Sequence, residues 1–250
     1  MTTNVPTLTV QQAWTLHLMM TEQFHIDPPQ TDALAAFQLA TLARQLLVDE
    51  DDKDRTIEDL PIVIVVGPSE KGIIGLEAAR HLANWGAWVQ ILLTHPTDDY
   101  VGEDAQRLLT LQEMSIPHAW ADDGWELPPC DLVIDAMFDA DESDSEYRDL
   151  IALTNSTLAA ILSINEPSST QDDEDAVSVQ ASAVLITGYP TVATVTQLSQ
   201  KSPPPDLYLA DIGIPQALYA ELEIDMPACF TNDTIIPVDL VDGQLCYDTL

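Results

Sequence analysis

LPIVIVVGPSEKGIIGLEAARHLANWGAWVQILL, from Leu60 to Leu93, carries a complete βαβ signature. Ile62 to Val66 is an unbroken β-branched run, too short for a helix and apolar on both faces, so it predicts a buried parallel strand. Gly67-Pro68-Ser69 ends the run, Gly72 and Gly75 read as part of the turn, and Leu76, Ala79 and Leu82 begin a helix-period apolar stripe. Gly86 is placed to stop that helix, and Trp88 to Leu93 is a second apolar strand. Such a unit sets backbone N–H groups and a helix N-terminus beside a strand's carboxyl end, where anionic ligands bind. The turn is not a Walker A loop, because Lys71 precedes Gly72, and it is not a clean G-x-G-x-x-G. By itself it argues for an α/β sheet and says little about a nucleotide.

Outward from this unit, strand and helix signals alternate. On the N-terminal side, Thr9 is a predicted N-cap for a helix carrying Val10, Trp14, Leu18 and Phe24. Pro28-Pro29 is read as a break before a helix from Thr31 to Leu47, with Leu34, Phe37, Leu42 and Leu46 inward. On the C-terminal side, helices are expected over Gly102–Met114 and Ser145–Leu153. Strands are expected at Ala119-Trp120, Asp131–Met137, Leu158–Ile164, Ala183–Thr187 and Leu207–Ile212. This alternation predicts a three-layer α/β/α sandwich on a mostly parallel, Rossmann-like sheet. Without an internal repeat or a domain-sized linker, the expectation is one domain over 1–250. It comprises leading helices in 1–48, an α/β core in 60–215 and a C-terminal extension in 216–250.

Charge narrows the function classes. The 250 residues include 42 acidic and 8 basic ones, a net charge of −34. Such a surface repels phosphate backbones and anionic lipid, which argues against direct nucleic-acid or membrane partners. At ~1 M salt the Debye length is about 3 Å, so an acidic, lysine-poor chain of this kind fits the cytoplasm of a halophile. No segment approaches 18 unbroken apolar residues, and Met1-Thr2-Thr3 lacks a basic leader, so a protein that stays in the cytoplasm is expected. Cys130, Cys229 and Cys246 show no CxxC spacing and indicate neither a disulfide framework nor a zinc site.

Several segments together resemble the YjeF N-terminal domain family, the NAD(P)H-hydrate epimerase fold. GPSEKGIIGLEAARHLANWG is similar to the family's glycine-rich G-x-G-N-N-G-G-D-G-L-x-A-A-R-x-L turn, and DLVIDAMFDAD to its D-x-x-x-D-A-[IL]-F-G-[TS]-G strand end. ILSINEPSS resembles its [IVL]-x-x-x-D-[IV]-P-S-G segment, while ASAVLITGYP and LYLADIGIP stand where the family has its last two core strands. The resemblance implies a dinucleotide site formed by Gly67, Ser69, Glu70, Lys71, Gly72, Gly75, Phe138 and Asp139. It also implies a potassium ion at Asp135 and Ser168, and a catalytic carboxylate at the position of Asn165.

The departures from the family pattern bear on function. Glu70, Lys71, Gly72, Ile73 and Ile74 replace its Asn-Asn-Gly-Gly-Asp turn, and Asp139-Ala140-Asp141 replaces a phosphate-embracing Gly-x-Gly. Asn165 cannot act as a general base near neutral pH. Glu166 is a candidate displaced base, but strand alternation points it away from Asn165. Lys71 falls where the family places an ion-binding Asn. Its ammonium is expected either to reach Asp135 and stand in for potassium, or to point into solvent from the turn. Trp85 and Trp88 are read as core or interface aromatics, and Asp211 as a structural strand-end residue.

Two functions follow as expectations. One is a descendant of the fold that has lost catalysis and serves as a ligand-sensing or protein-interaction module, as the resemblance to scaffold-type members in RNA-decay factors allows. The other is an NAD(P)H-hydrate epimerase, an isomerase that takes hydrated NADH or NADPH and binds potassium. A homodimer, with the apolar tail PACFTNDTIIPVDL as a contact, or another protein partner is expected with the first.

Overall fold

The computed structural model describes residues 2–48, 56–121, 126–138, 147–170 and 176–248. The strand at its centre, β2 (Pro61–Val66), pairs in parallel with β3 (Trp88–Leu93) on one side and with β5 (Leu132–Ala136) on the other. From β3 the sheet continues to β4 (His118–Trp120). From β5 it runs through β6 (Ala160–Ile164) and β7 (Ala183–Thr187) to β8 (Asp206–Ala210), all parallel. β9 (Ile235–Val241) and β10 (Gln244–Asp248) add antiparallel strands, and β1 (Thr2–Val5) closes that edge, with Thr2 opposite Asp248. Within the C-terminal segment 216–250, β9 and β10 belong to this same ten-stranded sheet.

Alternation along β2 assigns the two faces. Ile62, Ile64 and Val66 pack beneath α2 (Pro28–Leu47), α3 (Glu70–Asn84) and α4 (Glu103–Glu113). Val63 and Val65 face the layer of α5 (Arg148–Asn155), and Val184 and Ile186 of β7 meet α6 (Val192–Ser199) on that same side. This is the predicted three-layer α/β/α sandwich on a mostly parallel sheet. α1 (Val10–Glu22) instead packs Leu16 and Met20 against α7 (Gln216–Glu221), near the carboxyl ends of the strands.

Several local readings are corrected. α3 begins at Glu70, so Gly72 and Gly75 lie in its first turns and not in the preceding loop. They are glycines because the helix presses on the chain beneath it. A Cβ on Gly72 would stand 1.8 Å from the Gly67 carbonyl oxygen, and one on Gly75 2.6 Å from the Ala136 Cβ. Ser69 starts the helix by accepting a hydrogen bond from the Gly72 amide at 3.2 Å. Pro28-Pro29 does not break α2 but opens it, since a proline costs no hydrogen bond in the first helical turn.

The second leading helix also turns differently from the reading: of its four inward candidates only Leu42 is buried. The buried face of α2 is built mainly of Ala35, Ala36, Leu39, Ala40, Leu42 and Ala43, while Leu34, Phe37 and Leu46 are exposed. Alanines let α2 and α3 approach closely, and the larger side chains lie at the rim, where Phe37 meets His81 and Trp85 edge-on. Trp85 also carries the Arg44 guanidinium 4.5 Å above its ring, whereas Trp88 is exposed. On α1 the predicted stripe of Val10, Trp14 and Leu18 faces outward. In the apolar tail, Ile236 and Val238 are buried in the chain's own core.

Candidate functional site

Chain order reverses between β2 and β5, where α/β sheets commonly bind ligands. Here Gly67 fills that point: a Cβ on it would meet the Met137 carbonyl oxygen at 1.6 Å. The open cleft lies beside it, over the carboxyl ends of β6 and β7, with a volume of about 290 Å³. That is near the lower limit for a small-molecule pocket.

Local chemistry places each wall of the cleft. Leu8 ties the N-terminal segment to the start of α6, its amide donating to Pro190 O and its carbonyl accepting from Val192 N, both at 2.9 Å. Thr9 then caps α1, which lays Ala13, His17 and Met20 over the opening. Glu70, at the N-terminus of α3, forms another wall. The floor comes from Asn165 and Glu166 after β6, and from Thr187, Tyr189 and Thr194 around the end of β7. Among the described residues lining this cleft there is no lysine or arginine.

Asn165 is held firmly. Its φ of 57° puts it in the left-handed region, its amide donates to Leu185 O at 2.8 Å, and its Oδ1 accepts from Thr187 N at 2.9 Å and Thr187 Oγ1 at 3.0 Å. That left-handed residue breaks strand alternation, so Glu166 lines the cleft beside Asn165 and does not point away from it, contrary to the expectation from period-2 geometry. Glu166 Oε2 accepts from Thr194 Oγ1 at 3.0 Å. Burial, reinforced by the Glu70 carboxylate, pushes the Tyr189 phenol up to about 12, so it remains a neutral donor.

Beneath the cleft lies a buried polar network. Asp135 is fully buried; its Oδ2 accepts from Ser163 Oγ at 2.7 Å and Ser168 N at 2.9 Å. Its Oδ1 accepts from Ser168 Oγ at 2.7 Å and Met137 N at 3.5 Å. Lys71 does not point into solvent: it is 1 % exposed, and its ammonium donates to the Glu166 carbonyl oxygen at 2.9 Å. It does not ion-pair with Asp135 either, whose acceptor positions the serines and amides already occupy. Arg80 and Arg107 form ion pairs elsewhere, with Glu77 and Glu103.

The residues singled out in the sequence therefore separate into three places. Glu70 and Asn165 meet in the cleft. Lys71, Asp135 and Ser168 belong to the network beneath it. Gly67, Ser69, Gly72 and Gly75 are used for helix–sheet contact, while Phe138 stacks on Tyr147 with ring centroids 4.4 Å apart. Asp139 and Asp141 lie outside the described residues. Asp211 accepts from the Gly213 amide at 2.8 Å, a turn-forming bond at the end of β8.

Sequence reasoning missed Ser163, a lone hydroxyl in the otherwise apolar strand AILSI, which was a legible signal. It also missed Asp32. That carboxyl is 6 % exposed, and burial together with Glu70 and Glu103, against the pull of Arg107, raises its pKa to about 7.

Residues 33–193 match the YjeF-related protein N-terminus family. The chain belongs to this family. Among relatives of the YjeF-related domain, the bifunctional NAD(P)H-hydrate repair enzyme Nnr of Thermofilum pendens is 26% identical over 184 residues, 69% of this chain and 34% of that protein. The NAD(P)H-hydrate epimerase of Truepera radiovictrix is 28% identical over 178 residues, 67% of this chain and 76% of that one. Human enhancer of mRNA-decapping protein 3 is 29% identical over 190 residues, 71% of this chain and 33% of that protein. This chain thus spans about a third of the Thermofilum enzyme. The crystal structure of yeast YNL200c superposes with a TM-score of 0.69 at 16% identity, covering 93% of this chain and all of that one, which shows a shared fold. No helix among the described residues is long and apolar enough to cross a membrane.

Proposed function

We propose that this chain is a family member without epimerase activity, acting as a ligand-sensing or protein-interaction module. One observation carries the reading: the residue at the family's carboxylate position is Asn165, an amide that accepts no proton and whose oxygen is committed to Thr187. Electrostatics supports it. Glu70 and Glu166 face the cleft with no lysine or arginine among the described lining residues, so a pyrophosphate entering there meets like charge.

The exposed Val10, Trp14 and Leu18, spaced four residues apart on α1, support the protein-interaction half of the reading, with a second copy of the chain or another protein as partner. The charge of −34 disfavours nucleic acid and membrane surfaces and suits a salt-loaded cytoplasm. Calorimetric titration of the purified chain with NADP and with ADP-ribose in molar KCl tests the proposal. Neither binding nor turnover is expected of a protein-interaction module and binding without turnover of a ligand sensor, whereas a micromolar dissociation constant together with interconversion of the hydrate epimers would overturn the proposal.

A second reading is favoured by one specific observation, the position of Glu166 in the cleft beside Asn165. A carboxylate one residue along could serve as the base of an NAD(P)H-hydrate epimerase. Interconversion of the hydrate epimers by the wild-type chain, abolished by Glu166→Gln, would establish this reading in place of the first.

A further inference from the structure

The family resemblance implies a potassium ion at Asp135 and Ser168, and the groups around these residues do not fit one. A carboxylate offers about four acceptor positions, and Asp135 meets Ser163 Oγ, Ser168 N, Ser168 Oγ and Met137 N. Of the neighbouring carbonyl oxygens, that of Glu166 is taken by the Lys71 ammonium and that of Phe138 lies 3.4 Å from the Ser168 hydroxyl. No group of three or more His, Cys, Asp or Glu side chains among the described residues is arranged to hold a metal ion.

We propose that the Lys71 ammonium is a covalently tethered replacement for the alkali cation, holding the 165–168 turn in place without a bound ion. Lysines are almost never fully buried, because leaving water costs an ammonium heavily unless it finds oxygen partners and opposite charge. At 1 % exposure Lys71 has given up the usual option of reaching back to solvent. In exchange it grips one end of a short turn by the Glu166 carbonyl, while Asp135 grips the other by the Ser168 amide and hydroxyl. The single positive charge and the oxygen partner that an alkali ion would supply and require are both accounted for by this chain.

Lys201 is partly buried; desolvation lowers its pKa, and the Asp135 and Glu166 carboxylates oppose that shift. Only three lysines occur in the whole sequence, and one of them, Lys71, is spent on this turn. The inference stands whether or not the cleft turns over a substrate.

The test is thermal unfolding of the wild-type chain as KCl replaces NaCl at constant molar ionic strength, together with diffraction from crystals soaked in a rubidium salt. The expected result is no saturable potassium-specific rise in melting temperature and no anomalous peak beside Asp135 or Glu166. Either a saturable rise or such a peak would overturn the proposal. Lys71→Met should lower the melting temperature by roughly 5–10 °C, and an unchanged value would equally contradict it.

Discussion

The side-chain oxygen of Asn165 accepts hydrogen bonds from both the amide and the hydroxyl of Thr187, at 2.9 and 3.0 Å. The residue at the family's carboxylate position instead joins the ends of two adjacent strands. Asn165→Ala removes both bonds and places alanine at a φ of 57°. The expected cost is about 2–4 kcal/mol, combining the orphaned donors with left-handed strain. Asn165→Asp keeps both acceptor bonds and should fold. Chemical denaturation of the two variants checks the contrast.

Gly72 and Gly75 should differ in what a side chain costs them. Gly72→Ala drives a Cβ against the backbone oxygen of Gly67, which cannot rotate away, and is expected to prevent folding; Gly75→Ala meets the Ala136 side chain and should cost roughly 1–3 kcal/mol. Circular dichroism and melting curves separate the two. Equal, small effects would mean that α3 does not press on the sheet as described.

Asp32 links stability to pH in an unusual direction. Its folded pKa, about 7, lies above the ordinary 3.8, so the protonated form favours the fold. Between these values the native chain retains a proton that the unfolded chain has released, and stability falls as pH rises. The full cost, roughly 3–4 kcal/mol at most, is present above the folded pKa. Asp32→Asn should therefore raise the melting temperature in alkaline buffer and change it little in acid. A stabilisation independent of pH would contradict this account.

Charge repulsion predicts a salt requirement. With a net charge of −34, lowering salt from molar to millimolar lengthens the Debye length from about 3 Å to beyond the spacing of surface carboxylates. The melting temperature should fall steeply over that range. A constant value from molar salt to dilute buffer would remove the halophilic reading.

Ser163→Ala tests the network under the cleft. Removing one of the donors to a fully buried carboxylate is expected to cost about 1.5–3 kcal/mol, measured by denaturant unfolding.

How far the sequence reached depended on the range of the interaction involved. β2 and β3 were legible because continuous β-branched runs report burial on both faces. Ser69 and the glycines were recognised, but spacing alone does not separate a glycine needed by a turn from one needed for close packing, and only the 1.8 Å approach at Gly72 distinguishes them. The face of α2 was misread because large apolar residues outweigh alanines in a helical pattern, whereas α2 packs closely through Ala36, Ala40 and Ala43. β1 pairs Thr2 with Asp248, and no local signal joins the two ends of a chain. In the site, the positions of Asn165 and Lys71 were legible from the departures they make. The direction of Glu166 and the partner of Lys71 were not, because both depend on one residue adopting a left-handed backbone.

The most direct test of the central claim is a single-turnover experiment in molar KCl. One pure epimer of hydrated NADPH is mixed with excess protein, and appearance of the other is followed by proton NMR. The account predicts conversion no faster than in buffer alone. Complete conversion within a few minutes would show that the Asn165 cleft moves protons after all.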